Sequence, residues 1–183
     1  MHRIFQKFFF IMKSLNHFSI PILGLKQGVH HFNFNIDEKF FKEFENAPIQ
    51  ECKFEVQLTL DKRADMLVLD FDFEGSFRTD CDRCLADINL PIKDAQQLII
   101  KYSDDERDEI QVIYISPAHT ELNVAKFIYE FICLALPIIK TYNCEDENPR
   151  VCNDKVVDFL EKKQDSQESN NPIWDELNKL KDN

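Results

Sequence analysis

The middle of the chain alternates apolar and polar residues over two successive stretches. Apolar residues occupy every second position from Phe54 to Leu60, and the pattern returns from Leu67 to Phe73 after a polar turn at 61–63. A period of two is typical of strands that have one buried and one hydrated face. We therefore expect two antiparallel strands, joined by this turn, with one hydrated face.

Further strands are predicted before and after these two in the sequence. Downstream, apolar positions at 88, 90 and 92 predict a third strand, which residues 95–101 could continue, and residues 110–115 predict another after an acidic loop at 103–109. Upstream, residues 31–36 alternate in the same way. Residues 20–25 read as an edge strand or an extended arm, because Pro21 cannot donate a hydrogen bond to a neighbouring strand.

Two segments change to helical spacing. Asp37 is suited to cap a short helix at 38–45 whose phenylalanines face inward. A longer apolar stripe begins at Val124 and ends before Pro137, which helps to stop the helix. Together these patterns predict an α+β fold: a twisted antiparallel sheet packed by one main helix, with a cysteine-bearing hairpin tip and a short C-terminal helix.

The two ends of the chain differ in character from the predicted domain at 12–163. Residues 1–11 form a candidate upstream extension, and we hypothesise that translation starts at Met12, with Met1 as the alternative. A short helix at 155–163 precedes a polar linker at 164–170. Asn171 and Pro172 then suit the start of an amphipathic helix at 171–183 that docks on its own domain or on a partner.

A pair of cysteines marks the predicted hairpin tip. Cys81 and Cys84 form a CxxC turn, and with the downstream Cys144 and Cys152 they are candidate ligands of a tetrahedral zinc ion. The alternative is a pair of reduced turn cysteines that can form a reversible disulfide. Cys52 and Cys133 lie in apolar patterns and are interpreted as core thiols.

Charge and motifs restrict the classes of function. The formal net charge of −11 opposes nonspecific nucleic-acid binding and suits a basic protein partner better. The histidines have no metal-ligand or nucleophile–base spacing, there is no phosphate loop, and the CxxC does not begin a helix as redox pairs usually do. Arg83 is read as a solvated side chain, with phosphate contact as the alternative. We expect a cytoplasmic binding protein, not an enzyme, with no membrane contact and no small-molecule substrate.

Several of these features occur together in a known bacterial family. The hairpin from Cys81 to Leu85, the helix ending at 134–137, Cys144 and the terminal segment at 171–180 resemble the YceD family (DUF177), the large ribosomal RNA subunit accumulation proteins. The resemblance extends from about Met12 over nearly the whole chain. One departure is that Cys144 and Cys152 are further apart than the second cysteine pair of some members.

The resemblance implies a role in ribosome biogenesis. It implies a factor required for accumulation or processing of 23S ribosomal RNA and for assembly of the large subunit. The expected partner is precursor 23S rRNA or a basic large-subunit ribosomal protein. From a different class, the alternative is a zinc-binding or thiol-redox-responsive regulatory protein.

Overall fold

The alternating segments of the sequence form the strands of one sheet. A computed structural model of the protein describes residues 15–103, 112–141 and 151–167. The strands of the described part are β1 (Ser19–Ile20), β2 (Gly28–Asp37), β3 (Cys52–Lys62), β4 (Met66–Asp80), β5 (Asp87–Tyr102), β6 (Val112–Ile115) and β7 (Leu122–Asn123). Its α-helices are α1 (Glu38–Lys42), α2 (Ala125–Ala135) and α3 (Asp154–Gln167), and 3₁₀ turns lie at Asn16–Phe18 and Ile22–Gly24.

The main sheet has five strands in the order β2-β3-β4-β5-β6, so β4 lies at its centre. Strand β3 pairs antiparallel with β2 and with β4, placing Val56 opposite Phe73 and Leu58 opposite Phe71. The predicted α+β class is confirmed. One detail differs: β6 pairs parallel with β5. Nine residues separate the two strands in the sequence, so no two-residue hairpin requires them to be antiparallel.

The core lies between the inner face of this sheet and two helices. Inward side chains of β3 and β4 are buried, and the ring of Phe131 on α2 meets Phe71 of β4 at 5.2 Å between centroids. Helix α1 contributes Phe41, whose ring lies 5.6 Å from that of Tyr129 on α2. The predicted main helix is therefore the cover of the sheet.

Local capping explains where the helices begin and end. The Asp37 side chain accepts hydrogen bonds from the backbone N–H groups of Lys39 at 2.9 Å and Phe40 at 3.2 Å, as an N-cap does. Asn123 accepts from the N–H of Ala125 at the start of α2. At the other end of α2, Leu136 is extended because the following Pro137 disfavours helical backbone.

Some boundaries differ from the predictions. The predicted arm at 20–25 is extended only in β1, since residues 22–24 form a 3₁₀ turn. The strand predictions at 88–92 and 95–101 merge into the single long strand β5. Helix α3 reaches Gln167, inside the segment predicted as a linker. The predictions for residues 1–11, 104–109 and 171–183 lie outside the described residues.

The chain divides into two compact units. The larger comprises Met1–Arg78 and Asn89–Ile138, and it contains the body of the five-stranded sheet with α1 and α2. The smaller comprises Thr79–Ile88 and Ile139–Asn183, and it contains the tip of the β4–β5 hairpin and α3. The CxxC turn belongs to the smaller unit.

Candidate functional site

The CxxC turn joins β4 to β5, as the sequence predicts. The backbone N–H of Cys81 donates to the carbonyl of Ala86 at 2.8 Å, and the N–H of Leu85 donates to the carbonyl of Cys81 at 2.8 Å. Cys81 and Cys84 are both present as thiols, with 2% and 1% of their surface exposed. The turn therefore holds two buried sulfur groups at one end of the hairpin.

The residue that follows the second cysteine has an uncommon backbone conformation. Leu85 has φ of 57°, in the left-handed region that glycine enters most easily. Its side chain is 68% exposed, so burial of the leucine does little to offset this conformation. This conformation could not be predicted from the residue type, because leucine carries no preference for positive φ.

A second segment is fixed to the turn by a reciprocal pair of hydrogen bonds. The N–H of Asp82 donates to the carbonyl of Lys140 at 2.8 Å, and the N–H of Lys140 donates to Asp82 Oδ2 at 2.6 Å. Both residues belong to the smaller unit. Asp82 thus has a specific structural role inside the CxxC motif, whereas Arg83 is exposed, in agreement with its interpretation as a solvated side chain.

The four predicted metal ligands have different outcomes. Cys81 and Cys84 lie together in one turn, Cys144 lies outside the described residues, and Cys152 is disulfide-bonded and partly buried. Within residues 15–103, 112–141 and 151–167, no group of three or more His, Cys, Asp or Glu side chains is placed to hold a metal ion. Zinc binding by the full set of four cysteines stays a prediction.

The other two cysteines are separate from this turn. Burial raises the pKa of Cys52 to about 11, and the charges of Asp37 and Glu38 act in the same direction. Burial also raises the pKa of Cys133, which has a hydrogen bond with Tyr129. Both groups are therefore protonated thiols at neutral pH. Both are half-buried, whereas the sequence interpretation expected core thiols.

A second candidate surface lies on the main sheet, opposite the core. We call it the outer face, defined by the outward side chains of β3, β4 and β5, namely Lys53, Glu55, Gln57, Thr59, Asp70, Asp72, Glu74, Ser76, Asn89, Lys93 and Gln97. A hollow of about 500 Å³ lies on it, and its lining includes Glu55, Asp72, Glu74 and Lys93. The sequence signal for this surface is the row of acidic residues that alternates with apolar ones along β4, and that pattern alone indicates only a hydrated face.

Comparison with known proteins identifies the family. A family model described as large ribosomal RNA subunit accumulation protein YceD matches residues 69–181, which is more than half of the chain. The chain belongs to the YceD family. The match starts within β4 and includes the CxxC turn, β5, β6 and α2, whereas β2 and β3 precede it. Searches of curated proteins and of solved structures return no significant match.

Membership of the YceD family gives a functional setting to the CxxC turn and the outer face. The family description names accumulation of the large ribosomal RNA subunit and names no chemical reaction. In the part of the chain that the structure describes, no helix is long and apolar enough to cross a bilayer. The suspected family is confirmed, and the setting is accumulation of large-subunit ribosomal RNA.

Proposed function

We propose that this protein is a cytoplasmic ribosome-biogenesis factor that supports accumulation of 23S ribosomal RNA and assembly of the large subunit by binding one of its components. The observation that carries this proposal is the YceD match over residues 69–181. In this proposal the protein acts without making or breaking covalent bonds in a substrate. The family description supports the RNA-accumulation role, and binding as the mechanism is our own inference.

The charge of the chain favours a protein component over RNA. A net charge of −11 repels phosphates, and nucleic-acid affinity depends largely on Lys and Arg that displace phosphate counterions. The hollow on the outer face is lined by four acidic residues and one lysine. A basic large-subunit ribosomal protein is therefore the favoured partner, and precursor 23S rRNA is the alternative.

Depletion of the protein in its own organism tests the role. We expect the ratio of 23S to 16S ribosomal RNA to fall and free large subunits to decrease in sucrose gradients, with recovery when the wild-type chain is supplied. An unchanged ratio after complete depletion would contradict the proposed role. Affinity capture from the same cells, followed by RNA sequencing and mass spectrometry, distinguishes the two partner classes.

A second candidate function rests on the cysteines of the smaller unit. Cys81 and Cys84 are buried thiols in one turn, while Cys152 of the same unit is disulfide-bonded. Two thiol groups in a tight turn suit one side of a tetrahedral zinc site, which Cys144 and reduced Cys152 would complete. Bound zinc would supply a structural link in that unit. A thiol-redox-responsive regulator is the other form of this candidate.

Metal analysis of the purified chain tests the zinc candidate. Under reducing conditions we expect one zinc ion per chain, and loss of that zinc in the Cys81→Ser/Cys84→Ser variant. A Cys52→Ser variant is the control, because Cys52 lies outside the smaller unit. Absence of zinc from reduced protein purified in zinc-supplemented medium would rule out the metal and leave the redox form, which predicts that oxidant changes partner binding.

A further inference from the structure

Three carboxylates follow one another along the outward side of the central strand. Asp70, Asp72 and Glu74 alternate with the buried Leu69, Phe71 and Phe73. Residues two apart on a strand are separated by about 7 Å. Alternate side chains of an extended peptide have the same spacing. A peptide with Lys or Arg at every second position could therefore place one cationic side chain at each of the three carboxylates.

The neighbouring strand increases the negative charge of this row. Glu55 on β3 lies directly opposite Glu74 on β4, and like charges in directly opposed positions destabilise a sheet. Lys93 on β5 forms an ion pair with Glu74 at 3.1 Å, while neither Glu55 nor Asp72 forms an ion pair within the described residues. This arrangement of carboxylates therefore does not stabilise the fold.

The shape of the surface also suits a ligand that lies along the strands. The hollow of about 500 Å³ continues into a second one of about 690 Å³, and the two share Glu55, Glu74 and Lys93 in their linings. Side chains between the strands are held in place by hydrogen bonds, from Gln97 to Asp70 at 2.6 Å and from Asn89 to Ser76 at 3.0 Å. The surface is therefore a shallow depression that is partly ordered before any partner binds.

We propose that the outer face binds an extended polypeptide segment that has Lys or Arg at alternate positions and lies along β4. This inference rests on the proposed function, for which it names the binding surface and the chemistry of the partner. Charge complementarity decides the occupant, because a basic segment meets three carboxylates in register, of which only Glu74 already has an ion pair, with Lys93. An RNA strand would meet the same carboxylates with its phosphates.

A binding experiment with the full chain tests the surface. The probe is a labelled peptide in which Lys alternates with Thr, measured by fluorescence anisotropy at low ionic strength, where surface charges are least screened. The test variant is Glu55→Gln/Asp72→Asn, which keeps the shape of both side chains. The control variant is Glu121→Gln/Glu130→Gln, which removes the same charge from exposed positions of the larger unit that are not part of the outer face.

The expected results differ between the two variants. Two exposed charge pairs contribute enough that the test variant should bind the peptide about five- to tenfold more weakly. The control variant should bind like the wild type, and a peptide of equal composition with its lysines in one block should bind more weakly than the alternating one. Equal weakening in both variants, or equal binding of both peptides, would overturn the proposal.

Complementation separates this inference from the proposed function. In depleted cells, the test variant should restore less 23S ribosomal RNA than the control variant does. If depletion lowers 23S RNA and the test variant restores it fully, the surface is wrong while the biogenesis role stands. If depletion itself leaves 23S RNA unchanged, the proposed function has failed, whatever the peptide binds.

Discussion

The two faces of β4 differ in how much their side chains contribute to the stability of the fold. On the inner face, Leu69, Phe71 and Phe73 are almost fully buried, and Phe71 contacts the main helix through Phe131. On the outer face, the interleaved Asp70, Asp72 and Glu74 remain in contact with water, and Glu74 lies opposite Glu55. One strand therefore carries side chains that hold the fold and side chains that do little for it.

This difference indicates how the family role could be supplied by a small domain. Burial of apolar surface provides the dominant favourable term in folding, so the inner face has little freedom to vary. Exposed charges contribute little to stability, and the opposed Glu55 and Glu74 lower it. Stability therefore does not explain why these carboxylates lie on the outer face. Partner binding by the outer face is our explanation.

Of the substitutions considered, one on the inner face of β4 should change the free energy of unfolding most. Phe71→Ala should lower the free energy of unfolding by about 4 kcal/mol, because it removes a fully buried ring and leaves a cavity below α2. The adjacent Asp72→Ala is the matched control, and it should change stability by about 0.5 kcal/mol or less. Urea denaturation measures both values. Similar losses in the two variants would break the distinction between the faces.

A second inner-face position tests close packing instead of burial. Gly75 pairs with Phe54, and a Cβ atom at Gly75 would lie 2.6 Å from the Phe54 Cα and overlap the Lys53 carbonyl oxygen. Gly75→Ala should therefore destabilise the protein by about 3 kcal/mol. Thermal unfolding measured beside Gly24→Ala, where a Cβ meets no atom within 4 Å, provides the comparison. An equal effect at both glycines would contradict the close approach.

The hairpin tip should respond in the opposite direction. Leu85→Gly should stabilise the fold by about 1 kcal/mol or less, since relief of the left-handed conformation exceeds the entropy that glycine loses on folding. Asn46 has φ of 58° and is the control, because asparagine tolerates this conformation. Asn46→Gly should leave the unfolding midpoint nearly unchanged. Destabilisation by Leu85→Gly would mean that the exposed leucine has packing partners.

The smallest expected effect concerns the opposed carboxylates. Glu55→Gln should raise stability by about 0.5 kcal/mol, because it removes a like-charge repulsion across β3 and β4. The gain should shrink at high salt, which screens exposed charges. Unfolding curves at low and high salt measure it. A loss of stability on this substitution would show that Glu55 supports the fold and would remove one argument for the outer face.

The sequence was sufficient for the elements whose periodicity is strong. Alternation located β2, β3 and β4, and the stripe from Val124 located α2, because side-chain burial itself produces these patterns. The parallel pairing of β6 was not predicted, since partner choice between strands depends on chain connection and not on local pattern. The 3₁₀ turn after Pro21 was missed for a similar reason, as short turns leave no periodicity.

The candidate site was predictable only in part. The CxxC spacing located the buried thiols of Cys81 and Cys84 at a hairpin tip. The positive φ of Leu85 and the hydrogen bonds between Asp82 and Lys140 depend on backbone geometry that residue types do not encode. That Glu55 lies opposite Glu74 depends on the register of β3 against β4. The alternating pattern indicates which face of the sheet a residue is on, but not which residue of the neighbouring strand lies opposite it.

Site-specific photo-crosslinking in cells tests the central claim most directly. A photoreactive amino acid in place of Gln57 would lie on the outer face next to Asp72, and one in place of Leu85 would report on the hairpin tip. We predict that the Gln57 position crosslinks to a Lys- and Arg-rich segment of a large-subunit ribosomal protein, identified by mass spectrometry. Crosslinks to RNA from Gln57, or to ribosomal protein from Leu85 alone, would contradict the account.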